Sequence, residues 1–149
     1  MLTTLQADLL TVAGGVSIQN NNAMGAVLLP ALRLVDPLAL PVVFEEGSNM
    51  VVLNNAALTA VHLPLLEDAF VCLQGNATLT SLDIPNLTRG GADILSNPIL
   101  PDCEALAVCS TVGVPENRCL PNDHPCYPDP CSGPLLLREG DEVVCFNAD

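Results

Sequence analysis

Cysteine is the residue type most able to do chemistry in this chain of 149 residues. Six of its seven cysteines crowd into the last third: Cys103, Cys109, Cys119, Cys126, Cys131 and Cys145. That density is typical of a disulfide-stapled segment from an oxidising compartment. The alternative is a zinc site that combines some of these thiols with His124, but only Cys126 and Cys131 approach the close pairing of zinc ligands. We therefore predict disulfides among these six cysteines, without assigning which pairs form, and no metal site. Cys72 is predicted to be an unpaired thiol that faces outward.

Four asparagines recur at regular intervals and offer a second kind of chemistry. They are Asn21, Asn55, Asn76 and Asn97, at spacings of 34, 21 and 21 residues. Their amides can bind a ligand or Ca²⁺, or they can hydrogen-bond to one another as a ladder between stacked repeats. Calcium sites require several carboxylates close together, and the positions next to these asparagines are not acidic. The pattern therefore favours a structural ladder.

Two tripeptides match the acceptor sequence for N-linked glycans, Asn76-Ala-Thr78 and Asn86-Leu-Thr88. Asn76 belongs to the predicted ladder, where its amide is expected to be inaccessible. Asn86 falls in a predicted turn after a proline. Asn86 is therefore the better glycosylation candidate, and Asn76 the second.

Groups for catalysis are few and scattered. The sequence has no nucleophile elbow, no phosphate-binding glycine loop and no zinc-protease motif. Asp83 and Asp93 are the acids within the repeats that could pair to cleave a polysaccharide, and such an activity would vanish on substituting either with Asn. Basic residues to hold an acidic polysaccharide are nearly absent, and no set of groups converges. We predict that the protein is not an enzyme and needs no cofactor.

Composition narrows the class of partner. Half of the chain is hydrophobic but only 3% is aromatic. It has 17 acidic residues and four arginines, for a net charge of −13. The apolar content excludes a disordered acidic tail. The negative charge argues against a nucleic-acid surface, and the scarcity of rings argues against a base-stacking platform. A protein or glycan partner remains.

An internal repeat organises the first two thirds of the chain and must position these groups. Aligned on the four asparagines, it reads I-x-x-N-x-x-L-x-x-L-x-L-P-x-L. Val71 and Leu73 mark one strand of a unit, and Val61 and Leu63 mark a second that ends at a proline. Because so small a unit cannot bury its apolar face alone, copies must stack as a parallel solenoid with rungs ~4.8 Å apart. The longer first spacing predicts a 13-residue insertion within residues 31–48.

The repeat resembles the rungs of receptor L domains, which are related to leucine-rich repeats. The resemblance rests on Leu79-Thr-Ser-Leu-Asp-Ile-Pro-Asn-Leu87 and Leu58-Thr-Ala-Val-His-Leu-Pro-Leu-Leu66, and it covers about residues 2–109. Val12-Ala-Gly-Gly15 and Arg89-Gly-Gly91 are similar to the V-x-G-G turn that opens a strand in that family. The resemblance implies an all-β solenoid, a right-handed parallel β-helix of about four rungs. It also implies a ligand-binding role, because such domains form ectodomains of receptors and microbial surface proteins.

The end of the repeats predicts a cap. Residues 101–109 read as a short helix with Asp102 as its N-cap, laid across the open strand edge of the last rung. Residues 110–149 lose the period and gain prolines. We therefore predict a solenoid domain over residues 1–109 and an irregular, disulfide-rich tail over 110–149, which a truncated further module would also explain.

The cysteines predict an extracellular or cell-surface location, although no signal peptide is visible at the start of this chain. The apolar stretch 23–43 is interrupted by prolines and charges and is not predicted to insert into a membrane. The predicted function is a non-catalytic binding or adhesion module for a protein or glycan. A spacer repeat without a ligand is the alternative. Deleting Val35 to Ser48 should separate the two, because only a binding module would lose its partner.

Overall fold

The computed structural model describes residues 3–35, 50–114, 118, 119 and 122, together with the backbone of two later strands, β11 (Pro134–Glu139) and β12 (Glu142–Asn147). Those two strands pair antiparallel as a hairpin. Most of the predicted insertion, His124, Cys126 and Cys131 lie outside the described residues. Cys145 lies in β12, whose side chains are not described.

Each turn of the chain begins with a short strand, and these short strands stack in parallel. In sheet order they are β1 (Thr4–Gln6), β4 (Ala26–Leu28), β7 (Ala60–His62) and β9 (Ser81–Asp83). The register aligns their central residues, so that Val61 lies between Val27 and Leu82. All three of these side chains are buried. The predicted β-solenoid of about four rungs is confirmed.

The second side of the solenoid is a six-stranded parallel sheet. Its strands are β2 (Val12–Ala13), β3 (Val16–Gln19), β5 (Leu34–Val35), β6 (Met50–Leu53), β8 (Asp68–Gln74) and β10 (Arg89–Leu95). In β8 burial alternates along the strand, with Ala69, Val71 and Leu73 inside. Leu73 lies between Val52 and Ile94 of the neighbouring rungs. The inward slots therefore hold aliphatic, methionine or cysteine side chains, and the described core holds no aromatic ring.

The insertion enters in the middle of a strand. β8 pairs with β5 through Leu34 and Asp68, and with β6 through Met50 and Val71. β5 and β6 are therefore two halves of one rung, and residues 36–49 stand where the next rung has only Phe70. An insertion within this rung is confirmed, and Val35 lies before it as a fully buried core residue.

The two glycine pairs are not equivalent. Gly14 and Gly15 separate β2 from β3, but Gly90 and Gly91 lie inside β10, so the turn predicted at Arg89-Gly-Gly91 is wrong. Gly90 has a φ of 99°, and a Cβ there would lie 2.0 Å from the Ala69 carbonyl oxygen. The close approach of the neighbouring strand, and not a chain reversal, is what requires this glycine.

The solenoid ends in the predicted helix, α1 (Asp102–Val112). Its N-cap is Pro101, without a side-chain cap, so Asp102 is the first helical residue and not the N-cap as predicted. The helix terminates at Gly113, which is left-handed with a φ of 70°. Near its start, the Glu104 carboxylate accepts the backbone N–H of Leu82 at 2.5 Å. Glu104 thereby covers a backbone donor on the edge strand β9, which has no further strand beside it in the described sheet.

Candidate binding surfaces

The recurring asparagines stand in one hydrogen-bonded column at the corner between the two sheets. Asn55 Oδ1 accepts the backbone N–H of Asn21 at 3.0 Å and its side-chain amide at 3.3 Å. Asn76 and Asn97 repeat this pattern toward the preceding rung at 3.1 to 3.2 Å. Asn55, Asn76 and Asn97 have no exposed surface. Since every rung uses the amide oxygen of the next, these oxygens are not presented to a ligand.

The amide nitrogens of the column are also used by backbone groups. Asn76 Nδ2 donates to the Val52 carbonyl of the preceding rung at 3.0 Å, and Asn97 Nδ2 donates in the same way to Leu73 at 3.1 Å. The residue before each of these asparagines is left-handed, which makes the corner sharp: Asn20, Asn54, Gly75 and Ser96. Asn76 is therefore inaccessible in the folded chain, whereas Asn86 is exposed and donates its amide to the Pro64 carbonyl at 2.6 Å.

A fifth asparagine, which the repeat pattern did not reveal, extends the column. Asn122 Oδ1 accepts the backbone N–H of Asn97 at 3.2 Å, and its Nδ2 donates to Ile94 at 3.1 Å. The spacing from Asn97 is 25 residues, and Cys119 replaces the usual aliphatic residue three positions earlier. Cys119 is completely buried in the core. The rung geometry thus reaches beyond residue 109, where the sequence pattern was expected to stop.

One disulfide is present among the described residues. It joins Cys109 of α1 to Cys119, with 6.3 Å between the Cα atoms, and both residues are buried. Cys103, another candidate for pairing, is a free and exposed thiol. It lies in the first turn of α1, six residues before Cys109, on a part of the helix that faces solvent. One disulfide, between Cys109 and Cys119, is therefore confirmed, and Cys103 is a free thiol in the described part of the chain.

Part of the outer face of the six-stranded sheet is occupied. Asp93 accepts a hydrogen bond from Arg118 at 3.4 Å, and the Arg118 guanidinium lies 5.9 Å from the centre of the Phe70 ring. Cys72 faces outward between Val51 and Asp93, as expected, and is a half-buried free thiol. Burial, and then the charge of Asp93, raises the pKa of this thiol. Val51, although it points away from the core, is only 2% exposed.

The outer face of the four-stranded sheet is open. It carries two in-register columns of side chains, none of them buried: Thr4, Ala26, Ala60 and Ser81, and beside them Gln6, Leu28, His62 and Asp83. The side chains are small or neutral except at the last rungs, where His62 Nδ1 lies 2.5 Å from Asp83 Oδ2. The first three rungs therefore present mainly apolar, hydroxyl and amide groups, and the last two add an imidazole and a carboxylate.

The arginines lie away from this face and are already paired. In the described part of the chain, Arg33 contacts Glu67 at 2.8 Å, and Arg89 contacts Asp68 at 3.1 Å. Arg118 contacts Asp93. Each pair includes an acidic residue of the six-stranded sheet or of the turn that precedes β8. Among the described residues, the open face therefore offers no arginine or lysine to an anionic ligand.

The acids considered for catalysis do not meet. Asp83 points outward from the four-stranded sheet and contacts His62, while Asp93 points outward from the six-stranded sheet and contacts Arg118. The solenoid core lies between the two carboxylates. Among the described residues, no three His, Cys, Asp or Glu side chains are grouped closely enough to hold a metal ion.

A groove lies beside the last rung, between β9 and α1. Its volume is about 420 Å³. β9 and the turn after it supply Leu82, Asp83, Ile84 and Pro85, and α1 supplies Cys103, Glu104, Ala107, Val108 and Thr111. Sequence reasoning missed this groove because it depends on how the helix lies against the sheet edge, which no local pattern encodes.

The chain matches no protein-family model, no curated protein and no solved structure. No helix among the described residues is long and apolar enough to cross a membrane.

Proposed function

We propose that the protein is an extracellular or cell-surface binding module, without catalytic activity, that contacts a protein or glycan through the outer face of its four-stranded sheet. The observation that carries this proposal is the contrast between the two outer faces. On one face Arg118 contacts Asp93 and Phe70 and Val51 is buried, and the other face presents two uninterrupted columns of accessible side chains. The resemblance of the repeats to receptor L domains supports the same role.

The open face suits recognition for physical reasons. The rungs hold its side chains at fixed spacing, so a partner does not have to order them on binding. Small residues such as Ala26 and Ala60 let another surface approach the backbone closely, and Thr4, Ser81 and Gln6 supply hydrogen-bonding groups.

The oxidising compartment belongs to the same proposal. The buried Cys109–Cys119 disulfide supports it, because such bonds persist mainly in oxidising environments. The exposed acceptor at Asn86 supports it as well, as the side chain lies on a surface turn where an attached glycan would not disturb the core. Asn86 is the glycosylation site that this proposal assigns.

The experiment compares two substitutions that add the same charge to opposite faces. Ala60→Arg places a large side chain on the open face, and Ser17→Arg places one on the exposed outer side of β3. The labelled chain is applied to a glycan array and to a panel of intact cells. We expect A60R to reduce binding at least tenfold and S17R to leave it within twofold.

Absence of binding to every glycan and cell type would favour the alternative, a spacer repeat without a ligand. Equal loss in A60R and S17R would overturn the assignment of the face. Turnover of a polysaccharide on the array would overturn the non-catalytic role.

A further inference from the structure

The groove between β9 and α1 has the dimensions of a ligand site. At about 420 Å³ it falls within the range of ~300 to 1,000 Å³ in which small-molecule and side-chain pockets lie. Ile84 and Pro85 form apolar wall on the sheet side, and Ala107 and Val108 form it on the helix side. The groove adjoins the open face through β9. Ser81 of β9 belongs to one column of that face, and Asp83 belongs to the other.

The backbone edge of β9 does not invite an added strand. The outward N–H of Leu82 is bonded to Glu104 Oε2 at 2.5 Å, and Pro85 has no N–H to donate. An occupant would have to displace Glu104 before it could extend the sheet. The groove is therefore suited to a side chain that enters it and not to a peptide that pairs with its edge.

The polar groups of the groove are acidic. Asp83 uses Oδ2 toward His62, and Glu104 uses Oε2 toward Leu82. Among the contacts of the described residues, the second oxygen of each carboxylate has no hydrogen-bond donor. The lining contains no arginine, lysine or histidine. The hydroxyl of Thr111 is already bonded to the Ala107 carbonyl at 2.8 Å.

We propose that this groove binds the basic side chain of a protein partner, an arginine or lysine flanked by apolar residues. The aliphatic part of such a side chain packs on Ile84, Pro85 and Ala107, while its charged end reaches the two unused carboxylate oxygens. The net charge of −13 adds long-range attraction for a basic partner. This inference rests on the proposed function and narrows its partner from protein or glycan to a basic protein segment.

The test is a titration of the isotope-labelled chain, followed by its backbone amide signals in NMR spectra. The probe is the capped tripeptide N-acetyl-Leu-Arg-Leu-amide, and its control is the neutral N-acetyl-Leu-Gln-Leu-amide. Asp83→Asn is compared with Asp8→Asn, because both raise the net charge by one but Asp8 is exposed in the first rung, far from α1. Ala107→Phe fills the groove from an exposed helix position and leaves the core untouched.

We expect the arginine peptide to shift the signals of β9 and of α1 and the glutamine peptide to bind at least fivefold more weakly. D83N should weaken binding at least threefold and A107F should abolish it, while D8N leaves it unchanged. Shifts scattered over the whole surface, equal weakening by D8N and D83N, or undiminished binding by A107F would each overturn the proposal.

The two proposals fail separately. If the groove variants bind cells as well as the unaltered chain while A60R does not, the groove assignment fails and the open face remains the binding surface. If A60R leaves cell binding unchanged while the groove variants reduce it and the tripeptide still binds in the groove, the open face fails and the groove stands.

Discussion

The four-stranded and six-stranded sheets share one core and one set of rungs, yet their outer faces are built differently. On the six-stranded side, ion pairs tie neighbouring rungs together, and Arg118 folds back over Asp93 and Phe70. On the four-stranded side, short strands present alanine, threonine and serine to solvent. The column of buried asparagines holds the rungs in register for both sides, and among the described residues the four-stranded side adds only the contact between His62 and Asp83.

This difference assigns folding stability mainly to the six-stranded face and recognition to the open face. Covering groups on the six-stranded face are expected to matter for folding, whereas side chains on the open face are expected to matter only for binding. Variants that remove a shared element should disrupt both sides, and variants on one side should affect that side alone.

The largest loss of stability is expected when one asparagine of the shared column is removed. Asn76→Ala deprives the backbone N–H of Asn55 and the carbonyl of Val52 of their buried partners. Each unsatisfied buried group costs about 1–3 kcal/mol, so we expect the free energy of unfolding to fall by about 4 kcal/mol. Urea denaturation followed by circular dichroism measures it.

The control is Asn86→Ala, an exposed asparagine with a single hydrogen bond to a turn carbonyl. Its effect should stay below about 1 kcal/mol. Equal losses in N76A and N86A would mean that the column does not hold the rungs together.

A second variant tests whether close strand contact in the six-stranded sheet is essential. Gly90→Ala places a methyl group 2.0 Å from the Ala69 carbonyl oxygen at a φ of 99°. Gly113→Ala has a similar positive φ of 70° but meets no atom within 4 Å. We expect G90A to cost about 3 kcal/mol and G113A about 1 kcal/mol in thermal or urea unfolding. If both cost the same, backbone strain alone would explain the glycine.

The sequence predicts the features of the fold that recur in every rung, and it does not reveal those that occur once. The spacing of Asn55, Asn76 and Asn97 predicts the rung, since one residue type at one interval reflects one buried slot. Asn122 escaped because its interval differs by four residues from that period and because a cysteine fills the adjoining apolar slot. The insertion was placed in the right rung, but its exit after Val35 follows only from strand pairing. The β9–α1 groove and the bond from Leu82 to Glu104 depend on where a helix docks, which is a tertiary property.

Removing the disulfide tests whether the six-stranded face can be destabilised without affecting the open face. The Cys109–Cys119 bridge has a sequence separation of 10. It ties α1 to Cys119, which lies next to Arg118 and three residues before Asn122. We expect the double variant C109A/C119A to lower the free energy of unfolding by about 2–3 kcal/mol. Binding through the open face should persist at temperatures where the variant is folded. Loss of binding by the folded variant would show that the two faces are not independent.

The smallest effect concerns the thiol of Cys72, which is half-buried on the outer face of the six-stranded sheet. Because burial and then Asp93 raise the pKa of Cys72, a smaller fraction of it is thiolate at a given pH than for an ordinary thiol, and alkylation is slower. We expect iodoacetamide to modify the exposed Cys103 at least tenfold faster than Cys72 at pH 8, as measured by peptide mass spectrometry.

Asp93→Asn removes one of the two causes of the raised pKa, so the midpoint of the pH–rate profile of Cys72 should move down. Asp68→Asn removes a carboxylate of the same sheet that pairs with Arg89, and it should leave the midpoint in place. An unchanged midpoint in D93N would mean that burial alone governs this thiol, and a shift in D68N as large as in D93N would mean that the overall charge of the face governs it.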